Sequence, residues 1–235
     1  MLLTTPLVRL RTYSVAGPDI FSKGGASEFL AAATTISSIP KLSGLPEVVV
    51  AGRANAGKST LLNAVMGRRD LVHTSSKAGR TKALNFFRVG PAPGQLILVD
   101  APGYGQRGRP EWGELWDHYI QNRGQLRQIY LLLNAKHGVT EVDKMMLSDL
   151  QSKLSSLSDG KQVRRYMSLQ PIITKIDQLL TSQAEALKTI SSMKGDISEC
   201  APSALPSILT AFPKHHTIGV EEVRNSMLGC ITPRQ

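Results

Sequence analysis

Short apolar runs and amphipathic segments alternate along most of the chain. Runs of apolar residues bounded by glycine or proline predict buried strands, and Glu47–Ala51, with its three valines, is the clearest of them. Apolar residues that recur every third or fourth position predict helices, as Trp116, Tyr119 and Ile120 do. The predicted strands are Glu47–Ala51, Ala83–Val89, Gln95–Val99, Ile129–Asn134, Leu169–Thr174 and Ser207–Ala211. The predicted helices are Lys58–Gly67, Trp112–Arg123, Glu141–Leu157, Thr181–Met193 and Val220–Leu228. Strands that alternate with helices usually pair in parallel, so we predict a three-layer α/β domain whose mostly parallel sheet is flanked by helices.

The first 45 residues differ from the rest in being rich in Ala, Ser, Thr, Gly and Pro. We therefore divide the chain into an N-terminal extension, residues 1–45, and a domain, residues 46–235, and we predict one short helix in the extension over Glu28–Thr35. The start of the extension carries Arg9 and Arg11 and no acidic residue before Asp19, a composition typical of organelle transit peptides. It indicates the mitochondrial matrix as the compartment, with a plastid or the cytoplasm as alternatives.

Basic charge is concentrated in one stretch of the chain. The 235 residues include 28 basic and 18 acidic side chains, a net charge of +10. Half of this excess lies in residues 68–88, where Asp70 is the one acidic residue. The basic residues of this segment are Arg68, Arg69, Lys77, Arg80, Lys82 and Arg88. The segment is either a solvated loop or a surface for a polyanion such as nucleic acid.

Two classes of protein are excluded by composition. No apolar run approaches the roughly 20 residues that a membrane-spanning helix needs, so the sequence predicts no membrane span. Two cysteines are too few for a four-thiolate zinc site or a disulfide framework.

The residues from Gly52 to Ser59 fit the phosphate-loop pattern G-x-x-x-x-G-K-[ST] in full. They stand between a predicted strand and a predicted helix, where backbone N–H groups and the positive end of the helix can meet the same phosphate. We expect Lys58 to contact the β- and γ-phosphates and the Ser59 hydroxyl to bind Mg²⁺. The predicted phosphate-binding residues are Gly52, Arg53, Ala54, Asn55, Ala56, Gly57, Lys58, Ser59 and Thr60.

A second motif, D-x-x-G, follows the strand Gln95–Val99. It consists of Asp100, Ala101, Pro102 and Gly103. A carboxylate at this strand end can hold Mg²⁺ through water, and the Gly103 N–H can meet a γ-phosphate.

A third motif, Thr174-Lys175-Ile176-Asp177, begins at the last residue of the strand Leu169–Thr174. The Asp177 carboxylate can accept hydrogen bonds from the guanine N1–H and 2-amino groups, which adenine lacks. We expect Lys175 to lie along the base and to pack on the phosphate loop. The three motifs together predict a guanine nucleotide, GTP or GDP, with Mg²⁺ as cofactors.

In this order, GRANAGKS, GRT, DAPG and TKID resemble the motifs of the EngB (YihA/YsxC) family, one of the TrmE-Era-EngA-EngB-like GTPases of the translation-factor class. Asn85-Phe86-Phe87 after Thr81, and Tyr104-Gly105 after the DAPG motif, resemble the same family. The resemblance extends from about residue 46 to residue 228 and implies the P-loop NTPase fold. It also implies a GTPase that assists assembly of the large ribosomal subunit, with ribosomal RNA, ribosomal proteins and other assembly factors as partners. Division septation and tRNA modification are the alternative roles among related GTPases. A monomer is expected, with a homodimer formed through the switches as the alternative.

The resemblance also implies roles for residues that no motif assigns. Thr81, within Gly79-Arg80-Thr81, would be the switch threonine that meets Mg²⁺ and the γ-phosphate. Leu209, Thr210 and Ala211 would present backbone N–H groups to the guanine carbonyl, although the family has serines there. Asn134 replaces a usual aspartate.

Catalysis departs from the pattern of Ras-like enzymes. Tyr104 occupies the position of the glutamine that orients water in those enzymes, so we expect slow intrinsic hydrolysis, or a GTP-dependent scaffold with negligible turnover. Related GTPases with asparagine at the position of Asn55 bind K⁺, so Asn55 predicts a K⁺ site, or else stabilises the turn alone. The candidate catalytic residues are Lys58, Thr81, Gly103 and Asn55.

Overall fold

The computed structural model describes residues 20–21, 27–42, 44–68, 70–72, 83–105, 110–159, 167–179, 182–213 and 216–231. Within these ranges the strands are β1 (Glu28–Ala33), β2 (Glu47–Gly52), β3 (Leu84–Val89), β4 (Leu96–Asp100), β5 (Leu126–Asn134), β6 (Ser168–Thr174) and β7 (Ile208–Leu209). The α-helices are α1 (Lys58–Val65), α2 (Pro110–Asn122), α3 (Glu141–Asp159), α4 (Gln183–Cys200) and α5 (Val220–Leu228). Each strand and helix predicted from residue 46 onward is confirmed, although α4 runs on to Cys200 and β7 is short.

The described strands form one sheet in the order β1-β3-β4-β2-β5-β6-β7. β2 pairs in parallel with β4 and β5, and β6 pairs in parallel with β5 and β7. β3 pairs antiparallel with β1 and with β4. The sheet is mostly parallel, as predicted, and the carboxyl ends of β4, β2, β5 and β6 meet at one edge, where ligands bind in sheets of this kind.

Helices cover both faces of the sheet because the side chains of the buried strands alternate between two hydrophobic clusters. Val49 lies in one cluster with Trp116 of α2, Leu147 of α3 and residues of α4. Val48 and Val50 lie in the other with residues of α1 and α5. The three-layer α/β architecture is therefore confirmed. Within the described ranges, no helix has the length and apolar character that a membrane crossing requires.

The helix predicted over Glu28–Thr35 is wrong, because residues 28–33 form strand β1. This strand pairs antiparallel with β3, and the ring of Phe29 packs edge-on against Phe87 with centroids 5.6 Å apart. Glu28 also forms an ion pair with Arg88 of β3. The segment contains helix formers, but the exposed edge of β3 offers unpaired backbone groups that a strand satisfies. The sheet thus includes residues that we assigned to the N-terminal extension.

A buried ionic cluster joins the start of β2 to the end of α2. The Glu47 side chain is fully buried and accepts a hydrogen bond from the Tyr119 hydroxyl at 2.8 Å. Arg123 donates to the same carboxylate from Nε at 2.9 and 3.0 Å and from Nη2 at 2.6 Å. Breaking a buried pair of this kind is costly because it leaves a charge without compensation. The cluster fixes the C-terminal end of α2 at the edge of the sheet opposite to the phosphate loop.

Candidate functional site

The phosphate loop lies between the end of β2 and the start of α1. Asn55 and Gly57 adopt positive φ values of 63° and 91°, which turn the backbone in the manner of loops that direct successive N–H groups at an anion. α1 begins at Lys58, immediately after Gly57, so the positive end of its dipole lies beside the loop. Strand, loop and helix thus stand in the arrangement that the sequence predicted.

A buried carboxylate, Asp100, and a half-buried ammonium group, Lys58, interact at this loop. Asp100, at the end of β4, is 2% exposed, and β4 runs beside β2 with Val50 opposite Asp100. Burial raises the pKa of Asp100 to about 6, against the opposing effects of Lys58 and a hydrogen bond from Asn85. Burial also lowers the pKa of Lys58, while the Asp100 carboxylate acts in the opposite direction. Each group is therefore compensated only in part by the other.

The Asp100 carboxylate keeps one oxygen for a further ligand. Its Oδ1 is buried and has no hydrogen-bond partner among the described residues. An orphaned buried carboxylate oxygen is costly, and a hydrated cation would satisfy both the oxygen and the charge. Ser59 lies in the first turn of α1, on the strand–loop–helix unit that borders Asp100. The donor set, a hydroxyl and a carboxylate, fits Mg²⁺.

The TKID motif is fastened to the phosphate loop. Thr174, at the end of β6, donates from its hydroxyl to the Ala56 carbonyl at 2.7 Å. Lys175 has a positive φ of 58°, and its side-chain Cε would lie 3.9 Å from a Cβ placed on Gly57. The Lys175 side chain therefore passes over the phosphate loop, where we expected it. Asp177 is half-buried in the short 3-10 turn Ile176–Gln178 that follows.

The segment Leu209–Ala211 borders the same motif. The Thr210 N–H donates to the Ile173 carbonyl at 2.8 Å, and the Ile176 N–H donates to the Thr210 carbonyl at 3.3 Å. Thr210 is fully buried, and its hydroxyl has no partner in the described part of the chain. The structure thus brings together the predicted residues of the phosphate loop, DAPG, TKID and Leu209–Ala211. Their roles toward a nucleotide stay predictions.

Several predicted residues lie outside the described ranges. Among them are Gly79, Arg80 and Thr81, together with Lys77 and Lys82 of the basic segment. The described start of that segment is held by Asn63 of α1. The buried Asn63 carboxamide donates to the Val72 carbonyl at 2.9 Å and accepts from the Val72 N–H at 2.9 Å. Asn63 therefore fixes the backbone at Val72, immediately before the undescribed residues 73–82.

Sequence reasoning missed a polar cap behind the DAPG motif. Thr140 and Asp143 form a reciprocal cap at the start of α3: the Thr140 N–H donates to Asp143 Oδ2 at 3.0 Å, and the Asp143 N–H donates to Thr140 Oγ1 at 3.4 Å. The Tyr104 hydroxyl donates to Asp143 Oδ1 at 2.8 Å. The pattern T-x-x-D before a helix was a signal for the cap, but it gave no reason to connect Tyr104 with it.

Comparisons with known protein sequences place these features in a family. A family model described as a 50S ribosome-binding GTPase matches residues 47–161. The probable GTP-binding protein EngB of Rhodopseudomonas palustris (strain BisA53) is 33% identical to this chain over 215 residues, which are 89% of this chain and 91% of the relative. A protein with the same description from Bradyrhizobium diazoefficiens is 34% identical over 224 residues, which are 93% of this chain and 94% of the relative.

Solved structures share the fold at low sequence identity. A crystal structure of Era with MgGDPNP and nucleotides 1506–1542 of 16S ribosomal RNA has a TM-score of 0.54 at 20% identity, covering 81% of this chain and 58% of Era. Toc33 from Arabidopsis thaliana with GDP and Mg²⁺ has a TM-score of 0.61 at 14% identity, covering 80% of this chain and 85% of Toc33. These likenesses agree with the three-layer fold described above.

Proposed function

This chain belongs to the EngB family of GTP-binding proteins, which are GTPases, and on that premise we propose that it assists assembly of the large ribosomal subunit. The proposal rests on the position of the basic segment, residues 68–88. This segment has a net charge of +5 and contains the predicted switch threonine Thr81. A cationic surface that changes with the nucleotide would bind ribosomal RNA phosphates in one nucleotide state and release them in the other.

In this proposal the nucleotide binds together with Mg²⁺. Ser59 would bind the ion directly and Asp100 through water, with Thr81 as a third ligand when the γ-phosphate is present. The free Oδ1 of Asp100 supports this assignment. Bound Mg²⁺ would neutralise charge on the β- and γ-phosphate oxygens. Lys58 adds a second positive charge there, and Gly103 offers its N–H to the γ-phosphate.

We place the protein in the mitochondrial matrix because its first 18 residues carry arginine and no acid. The partners would be the ribosomal RNA and proteins of that compartment's large subunit, and other assembly factors. A fluorescent protein fused to residues 1–45 should enter mitochondria. Its exclusion from them would remove this part of the proposal and leave the ribosomal role untouched.

Reversing the charge of Lys77, Arg80 and Lys82 together is expected to weaken association with the large subunit while leaving GTP affinity unchanged. Every ion pair with an RNA phosphate that the reversal removes should make the negative slope of log affinity against log salt less steep by roughly 0.7 to 0.9. Co-sedimentation of GTP-analogue-loaded protein with isolated large subunits, over a series of salt concentrations, measures both the affinity for the subunit and this slope.

The matched control reverses Lys41, Lys188 and Lys194, which are exposed and lie outside the segment. It changes the net charge by the same amount, so it should reduce binding only slightly. Equal binding by the two triple variants would overturn the proposed RNA surface.

GTP turnover is expected to be several-fold faster in K⁺ than in Na⁺ when large subunits are present, because a cation held by Asn55 would offset negative charge on the phosphates. Asn55 stands in the left-handed region, and its carbonyl accepts a hydrogen bond from Asn134 at 3.5 Å. Glycine at position 55 keeps this backbone accessible and removes the carboxamide.

Asn55→Gly should therefore lose the K⁺ response and keep nucleotide binding. GTP turnover is measured as phosphate release. Equal turnover rates of the parent protein in K⁺ and in Na⁺ would mean that Asn55 only stabilises the turn.

A further inference from the structure

The backbone beside Gly103 is joined directly to the phosphate loop. Arg53 and Tyr104 form an isolated parallel β-bridge just beyond the ends of β2 and β4. A Cβ placed on Gly103 would lie 3.1 Å from the Ala54 nitrogen, a distance at which neighbouring atoms must give way. The Gly103 backbone therefore lies against the phosphate loop, and its position depends on how the next residue, Tyr104, is held.

Tyr104 is held from the side of the hydrophobic core. Its side chain is 4% exposed and belongs to the same buried cluster as Leu115 and Leu147. Its hydroxyl donates to Asp143, which is itself 3% exposed. Burial, followed by the Asp143 carboxylate, raises the pKa of Tyr104, so the phenol stays a neutral donor at all physiological pH values. The side chain is therefore fixed at its far end by Asp143, beside the cavity that the phosphate-loop residues Arg53 and Asn55 also line.

The phosphate loop is attached to the same cap by its own arginine. Arg53 Nη1 donates to Thr140 Oγ1 at 3.1 Å and lies 3.7 Å from Asp143 Oδ2. The two backbones that meet at Gly103 are thus both fastened to one point at the start of α3. Since interactions within such a hydrogen-bonded network support one another, loss of one bond should loosen the position of the others.

We propose that Tyr104, through Asp143, is a positioning residue that holds the Gly103 N–H where a γ-phosphate will accept its hydrogen bond. The inference rests on the role proposed above for Gly103. GDP has no γ-phosphate, so the network contributes to the binding of GTP and not to that of GDP. Tyr104 thereby shifts the preference between the two nucleotides toward GTP.

The test is the affinity of Tyr104→Phe for a non-hydrolysable GTP analogue and for GDP, measured by calorimetry on the full chain with Mg²⁺. Removing one buried hydrogen bond should weaken binding of the GTP analogue by roughly 5- to 10-fold. GDP affinity should stay within about twofold of the parent value, because the phosphate loop and the guanine site are unchanged. Asp143→Asn keeps an acceptor oxygen for the Tyr104 hydroxyl, so it should retain more of the preference for GTP than Asp143→Ala does.

Tyr130→Phe is the matched control. Tyr130 is fully buried, and its hydroxyl bonds to Ser226 at 2.9 Å in the other hydrophobic cluster. This variant should lose stability without changing the ratio of the two affinities. The same result for Tyr104→Phe would overturn the proposal, and so would an increased preference for GTP, which would mean that the network holds Gly103 away from the phosphate. If the parent protein bound GDP and the GTP analogue with equal affinity, the hydrogen bond proposed between the Gly103 N–H and the γ-phosphate would be contradicted instead.

Discussion

Asparagine in place of Asp177 is expected to turn the protein from a guanine-binding into a xanthine-binding one. The Asp177 carboxylate can accept hydrogen bonds from the N1–H and from the 2-amino group of guanine. A carboxamide at the same place would direct its own NH₂ donor at one of these two donors. Xanthine carries an oxygen in place of that amino group and can accept from the new donor. A site built around buried hydrogen bonds rejects a mismatched partner strongly, so GTP affinity should fall by at least about 100-fold.

The change in base preference is measured from the affinities of Asp177→Asn for GDP and for xanthosine diphosphate. Calorimetry or displacement of a fluorescent nucleotide gives both affinities. Asp149→Asn removes the same charge from the exposed face of α3 and should bind GDP normally. If Asp177→Asn kept the parent affinity for GDP and gained none for xanthosine diphosphate, the TKID motif would have to be a surface turn.

Alanine at Gly219 is expected to lower the free energy of unfolding by at least about 3 kcal/mol, because two separate penalties add. Gly219 precedes α5 with a φ of +79°, a region that side chains with a Cβ rarely adopt. A Cβ there would also lie 1.9 Å from the Leu209 carbonyl oxygen, so the backbone of the predicted guanine-contacting segment Leu209–Ala211 would have to move. Nucleotide affinity should fall along with stability.

Gly195→Ala is the control and should have the opposite sign. Gly195 lies inside α4, and no atom lies within 4 Å of a Cβ placed there. Alanine in a helix interior gains roughly 0.5 to 1 kcal/mol over glycine. Urea unfolding of both variants checks the pair. A Gly219→Ala protein as stable as the parent would contradict the close approach of residues 209 and 219.

Local patterns were sufficient for most of the fold because apolar runs and helical spacing reflect which faces are buried. They also located the site, since a parallel sheet places the ends of β4, β2 and β6 along the same edge, and the motifs stand at those ends. β1 was not predictable in the same way. Its residues have no strong strand pattern, and the antiparallel pairing with β3 depends on a partner more than 50 residues away, at Arg88 and its neighbours.

The orientation of Tyr104 could not be predicted for a related reason. Its place after Gly103 suggested a position beside the phosphate, but position along the chain does not determine which way a side chain points. Asp143 is 39 residues further on, and only the packing of α3 against the sheet brings it to the Tyr104 hydroxyl. The position of Thr174 depends less on distant packing, because a residue at the end of an interior strand has few possible neighbours.

The cluster of Glu47, Tyr119 and Arg123 anchors α2 at its C-terminal end, about which the helix can tilt. The helix spans Pro110–Asn122, so at about 1.5 Å per residue it reaches roughly 20 Å from this anchored end to its first turn. A tilt of about 10° around the anchor would carry the first turn through roughly 3 Å, while the other end scarcely moved. The first turn follows the DAPG motif in the chain, so a tilt of this kind would change the surface that lies nearest to that motif along the sequence.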